Sequence, residues 1–146
     1  MEIRVPPSAP LAAALDDLEG DGLVFVAAGP AIGDDFDAVH TELADAFEAT
    51  QSALRDGRPV VYVVAGEDLL GQRGAPAAMV ACGLLSAART AALEGARAGV
   101  TVNVVAAFDG TGPDQVRSWV LRLMEADGAT GELVRLGSAH LGKALP

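Results

Sequence analysis

Two short apolar runs, PVVYVVAG at 59–66 and VTVNVVAAF at 100–108, flank an alanine-rich segment of more than twenty residues. Both runs are rich in β-branched valine and too short for helices. The middle holds helix formers throughout, so the stretch reads as strand, helix, parallel strand. This βαβ unit constrains the fold more than any other feature.

The remaining segments alternate in the same way. Met1–Val5 predicts a short edge strand closed by Pro6-Pro7. Ser8 stands as an N-cap to a three-turn helix carrying Leu11, Ala12, Leu15 and Leu18 up to Gly20. GLVFVAAG (22–29) is a continuous apolar strand between glycines, the pattern of a strand buried on both faces. After the loop 29–33, Asp34, Asp35 and Asp37 mark a helix start. A helix over 35–56 then shows a large-residue stripe (Phe36, Val39, Leu43, Phe47, Thr50, Leu54) and a small-residue face (Ala46, Ala49, Ala53). The helix at 75–98 is apolar nearly all round. Beyond the strand at 100–107 come a helix at 114–126 and a last strand at 132–136. The fold class is α/β: three layers, a mainly parallel sheet of about five strands, helices on both faces, right-handed crossovers and a single domain over 1–146.

Aromatic residues are 4% of the chain, so alanine, valine and leucine must build the core. Residues 1–68 carry 14 acids and 3 bases, whereas residues 69–146 carry 6 and 7. Nucleic acid is disfavoured as a partner by the missing basic face, and the acidic half reads as solvated surface, with a docking face for a basic partner as the alternative. A single cysteine, Cys82, makes no internal disulfide and reads as a small core residue. With no leader pattern and an apolar window (Pro76–Ala88) too short for a bilayer, the expectations are a cytoplasmic location and no membrane partner. His40 and His140 read as surface histidines, and no metal site is expected.

From Val5 to Leu136 the order LVFVAAG (23–29), DDFDAVHTELADAFEATQSAL (34–54), PVVYVVAG (59–66), ARTAALEGARAG (88–99), VTVNVVA (100–106) and Thr130-Gly131-Glu132 resembles the short-chain dehydrogenase/reductase family without the first part of its fold. In that family a strand ending Asn-Asn-Ala-Gly, a strand ending Ser-Ser, a helix with Tyr-x-x-x-Lys and a late Thr-Gly turn occupy the matching places. The resemblance implies a Rossmann-like domain lacking the cofactor-binding part, hence no cofactor. It also implies an absent catalytic set: the only tyrosine is Tyr62, the only lysine is Lys143, and no serine lies between Ser52 and Ser86. The family's Tyr and Lys positions fall near Ala77 and Ala81, its Ser position near Val64 or Ala65, and an Asn of its long helix at Glu42.

Asn103 reads as a residue that ties a loop, and Trp119 and Phe108 as core or interface anchors. In the family the two long helices form a four-helix bundle across a dimer. That places Ala46, Ala49, Ala53 and Ala88 at an interface, in a homodimer or in a hetero-oligomer with a full-length short-chain dehydrogenase. The resulting expectation is a non-catalytic, dehydrogenase-like subunit that scaffolds or complements an active enzyme, or self-associates. The alternatives are a small-molecule binding protein using a crevice at Gly29, Gly66, Glu67 and Asp68, where open α/β sheets bind ligands, and an enzyme of altered chemistry working through Glu67 or Asp68.

Overall fold

A computed structural model describes residues 1–5 and 11–137. Five strands form one parallel sheet in the order β1-β2-β3-β4-β5: β1 (Glu2–Arg4), β2 (Leu23–Val26), β3 (Val60–Ala65), β4 (Val102–Ala107) and β5 (Leu133–Leu136). Between them lie α1 (Ala12–Leu15), α2 (Phe36–Arg55), α3 (Gly66–Leu69), α4 (Ala75–Gly95) and α5 (Pro113–Met124). The continuous apolar runs become the three inner strands because both of their faces are covered. Leu23, Phe25, Val60, Tyr62, Val102 and Val104 pack on α2 and α4, while Val24, Val26, Val61, Val63 and Val105 pack on α1 and α5.

Each strand lies beside its predecessor and all are parallel, yet two connections cross one face of the sheet and two cross the other. Two crossovers therefore have the opposite hand to the other two, which corrects the expectation that all are right-handed. Helices confined to one face would leave Val24, Val26, Val61, Val63 and Val105 in water. At roughly 1.5–3 kcal/mol per large side chain, burying them outweighs the handedness preference.

The long helices match their expected spans, and α2 starts where its acids predict. Asp35 is the N-cap and its carboxylate accepts a hydrogen bond from the Asp37 N–H at 2.9 Å. α1 is a correction, being one turn long without a side-chain cap; Ser8 lies outside the described residues, as do His140 and Lys143. β1 covers the flank of β2 by pairing Glu2, Ile3 and Arg4 with Leu23, Val24 and Phe25. The span Ala75–Ala98 is long and apolar enough to cross a bilayer by length and composition alone, longer than the 76–88 window suggested. Half of its most apolar window is buried inside the fold, where α4 packs on the sheet and on α2.

Candidate functional site

At the C-terminal ends of β2, β3 and β4 the chain leaves the sheet in three loops, and an apolar cleft of about 450 Å³ opens between them. Val26 and Val63 form its floor, Leu11, Phe108 and Val116 its walls, and Arg73, Asp109 and Thr111 its polar rim. This is the place the sequence assigned to a crevice, but the residues divide differently.

Gly29 lines the cleft, at the start of a 3-10 turn with φ 55°. Gly66 does not line it; the Phe108 ring lies over it, and a Cβ there would sit 2.3 Å from a ring carbon. Glu67 braces the rim, its Oε1 accepting from the Asp109 N–H at 2.8 Å and its Oε2 from Arg73 at 3.2 Å. Arg73 also donates to Asp109 Oδ1 at 2.7 Å, both times through Nη2. Asp68 is 1% exposed, and its Oδ1 is buried without a hydrogen-bond partner. Its Oδ2 lies 3.2 Å from where a Cβ on Gly29 would stand. Burial pushes the Asp68 carboxyl above the usual range; Arg73 pulls it partly back and Glu67 adds to the rise.

The positions matched to the family's catalytic residues are all apolar. Val64, Ala77 and Ala81 are buried and Ala65 is half-buried. Tyr62 is buried under α2, its hydroxyl hydrogen-bonded to Thr50 Oγ1 and its ring edge-on to Phe25 at 6.2 Å. Burial raises the phenol's pKa, and the Thr50 bond acts against the rise. Glu42 holds the end of β2, where its Oε1 accepts from the Ala28 N–H at 2.8 Å. Burial raises its carboxyl, the Ala28 bond opposes the rise, and Asp45 adds to it.

Asn103 ties a loop as expected, donating from Nδ2 to the Ala129 carbonyl at 2.8 Å and accepting from the Glu132 N–H at 3.1 Å. Thr130 Oγ1 accepts from the Val102 N–H at 3.0 Å, so the Thr-Gly turn is stitched to the start of β4. Phe108 is buried, and Trp119 is half-buried with the Arg122 guanidinium 5.3 Å from its ring centre. His40 is exposed. Cys82 is exposed too, correcting its core reading, because it falls on the solvent side of α4. No group of three or more His, Cys, Asp or Glu that could hold a metal occurs among the described residues.

The expected interface set is also corrected. Ala46, Ala49, Ala53 and Ala88 are 0–5% exposed within the single chain, buried in the core that α2 and α4 share with the sheet. Small residues are used here because α2 and α4 approach closely: a Cβ on Gly83 would come within 2.9 Å of Leu43. The outward surface of this layer carries other residues. Phe36 and Phe47 on α2 are 58% and 65% exposed, and Met79 and Leu93 on α4 are 47% and 79% exposed. The phenylalanines are three turns apart and the α4 pair about four, so each pair lies along one side of its helix.

Sequence reasoning missed the Arg73–Glu67–Asp109 bridge and the Thr50–Tyr62 pair. The second had a signal, since Thr50 is the one polar residue in the apolar stripe of α2. The first had none, because it joins residues 36 positions apart across two loops.

Neither a protein-family model nor a curated protein matches this sequence. Among solved structures, a short-chain dehydrogenase from Mycobacterium smegmatis is similar at 23% sequence identity and a TM-score of 0.60, over 82% of this chain and 59% of that one. The likeness shows the fold: a Rossmann-like α/β sheet of the kind found in that dehydrogenase, of whose length this chain spans 59%.

Proposed function

We propose that this chain is a non-catalytic, dehydrogenase-like subunit that works by assembly, through the outer surface of α2 and α4, with a second copy or with a complete short-chain dehydrogenase. The observation that carries the reading is the confinement of the exposed large hydrophobic residues among the described ones, Phe36, Phe47, Met79 and Leu93, to this single layer. Exposed apolar surface, where it gathers into a patch, marks an interaction site, and these four residues lie on one helical layer. An isologous contact through one helical layer also closes without leaving further edges.

The non-catalytic part rests on chemistry. The family's proton exchange with a substrate oxygen uses a phenol at the cleft, and here the only tyrosine, Tyr62, is sealed in the core by α2. A dinucleotide pyrophosphate needs backbone N–H donors in a Gly-rich turn after the first strand. The sequence after β1 reads Val5-Pro6-Pro7-Ser8-Ala9-Pro10, with no glycine and three residues that lack an N–H.

The test is coexpression with a complete short-chain dehydrogenase encoded beside this chain, scored by copurification, by mass and by the partner's turnover. A mixed assembly, or a defined homodimer of this chain alone, supports the reading. A monomer at high micromolar concentration that neither copurifies with the enzyme nor alters it rules the reading out.

A further inference from the structure

We propose that the turn Gly29–Ile32 is a pH-responsive flap at the mouth of the cleft, latched while the Asp68 carboxyl beneath it is neutral and lifted when that carboxyl ionises and draws in water. This goes beyond the subunit reading and uses none of the outer surface of α2 and α4. The turn starts at one left-handed glycine, Gly29 at φ 55°, and is followed by another, Gly33 at φ 58°. Glycines swing between such conformations at little steric cost, and a Cβ on Gly33 would meet nothing within 4 Å, so the far hinge has room. The last backbone bond from this stretch to the sheet runs from the Ala27 N–H to the Val63 carbonyl at 2.9 Å. Beyond it Glu42 holds the Ala28 N–H, and the bonds from Ala31 to Ala28 and from Asp35 to Ile32, at 3.2 and 3.4 Å, stay within the segment. Among the described residues the turn is thus fastened to the core by side chains, chiefly the buried Ile32. A segment held in this way opens well below the cost of global unfolding. Gly29 and Ala31 line the cleft, so the position of the turn sets the width of its mouth.

The latch is the acid under Gly29. Asp68 is buried, its Oδ1 has no hydrogen-bond partner, and its Oδ2 lies 3.2 Å from where a Cβ on Gly29 would stand. Among the described residues no cation is bonded to it. Arg73 gives its bonds to Glu67 and Asp109, and Glu67, the other acid of α3, accepts from Arg73 and from the Asp109 N–H. The turn itself, Gly29-Pro30-Ala31-Ile32, has no titratable group. The first two turns of α4, which packs on α3, contribute Cys82 alone, and β3 and β4 contribute Tyr62 alone, bonded to Thr50. A neutral carboxyl fits these surroundings, whereas a carboxylate with an unpaired buried oxygen carries a desolvation penalty that water relieves once Gly29 moves away. Burial accordingly raises the Asp68 pKa, with Arg73 acting against the rise and Glu67 adding to it. The flap is therefore closed below the folded midpoint of Asp68 and opens as pH rises through it.

The full chain, labelled with ¹³C and ¹⁵N, is titrated from about pH 4 to about pH 8, a range that spans ordinary and raised carboxyl values. Carbon-detected NMR reads the Asp68 carboxyl, and amide signals and hydrogen exchange read the turn. The amide shifts of Gly29, Ala31, Ile32 and Gly33 are expected to move with the midpoint of Asp68. Protection at Ile32 and Gly33 should fall at least about tenfold across that midpoint, the factor that one unit of pKa displacement represents. Asp68→Asn keeps the shape without the charge, so it should remove the transition and hold the turn protected throughout. Glu42→Gln tests the other acid at this loop and should leave the transition in place. The proposal is overturned if Asp68 stays protonated to the top of the range, if the turn titrates with a different midpoint or not at all, if the transition survives in Asp68→Asn, or if it disappears in Glu42→Gln. The comparison of midpoints is made in the parent chain and stands even where a variant fails to fold.

Discussion

The two helical layers of this fold spend their apolar residues differently. On one face α2 and α4, of 20 and 21 residues, bury alanines against the sheet and each other and leave Phe36, Phe47, Met79 and Leu93 in solvent. On the other, the 12-residue α5 turns Val116, Val120 and Leu123 inward, and no large hydrophobic of either α1 or α5 stands exposed among the described residues. The described part of the second layer covers its own large side chains. The first carries more apolar surface than its own sheet can absorb, and the excess consists of the large residues. Buried small residues set how closely helices pack, whereas exposed large ones are what a second molecule can cover.

The sharpest way to break this contrast is to charge a residue the first layer has already buried. Ala88 has no exposed surface, so Ala88→Glu should cost about 3–5 kcal/mol and unfold the protomer itself. Circular dichroism and urea denaturation check this. A folded monomer would mean that α4 turns this side to a partner after all.

Next in size is the charge placed outside. Phe47→Glu combined with Leu93→Glu should weaken self-association at least about 100-fold, equivalent to about 2.7 kcal/mol. The urea midpoint should barely move, since both positions are solvent-exposed in the single chain. Light scattering reads the mass, and Gln115→Glu on the exposed side of α5 is the control expected to change nothing. An unchanged mass for the double variant would remove the assembly surface from this layer.

A smaller effect belongs to the stitch between β4 and β5, which neither layer supplies. Asn103→Ala removes two hydrogen bonds and strands the Ala129 carbonyl and the Glu132 N–H, a loss of about 2 kcal/mol. Amide exchange at residues 129–132 should accelerate before global unfolding does. Uniform acceleration across the sheet would show that the loop is held by something else.

How far the sequence revealed these regions follows from the range of each interaction. Strands β2, β3 and β4 and helices α2 and α4 are legible because their signal is local, in runs of valine between glycines and in three-to-four residue periodicity closed by Asp35. The direction in which α2 faces is not local. Phe36 and Phe47 belong to the same periodic stripe as Val39 and Thr50, yet the first two are exposed and the second two buried with the alanines, a division set by where α4 approaches, at Leu43 and Gly83. The crevice could be placed because strand ends in such sheets leave one. Its rim could not, because Arg73 meets Asp109 through loop geometry alone.

The smallest expected effect separates the buried acid under the cleft from the helical layers. Asp68 holds its proton to higher pH in the folded chain than its usual value of 3.8, chiefly because burial penalises the carboxylate. It therefore favours folding fully below that value, and the advantage is lost as pH rises through the folded value, leaving a net cost at neutral pH. Asp68→Asn keeps the shape and removes the charge, so it should stabilise the protein by about 1 kcal/mol at pH 7. The gain should shrink as pH falls and vanish below the usual carboxylate range, where the parent carries no charge either. Glu42 titrates in the same direction in both proteins, so the difference between their pH–stability curves isolates Asp68. A less stable variant at neutral pH would mean that the attraction of Arg73 outweighs burial, and a difference independent of pH would mean that the Asp68 carboxyl does not titrate apart from the unfolded chain.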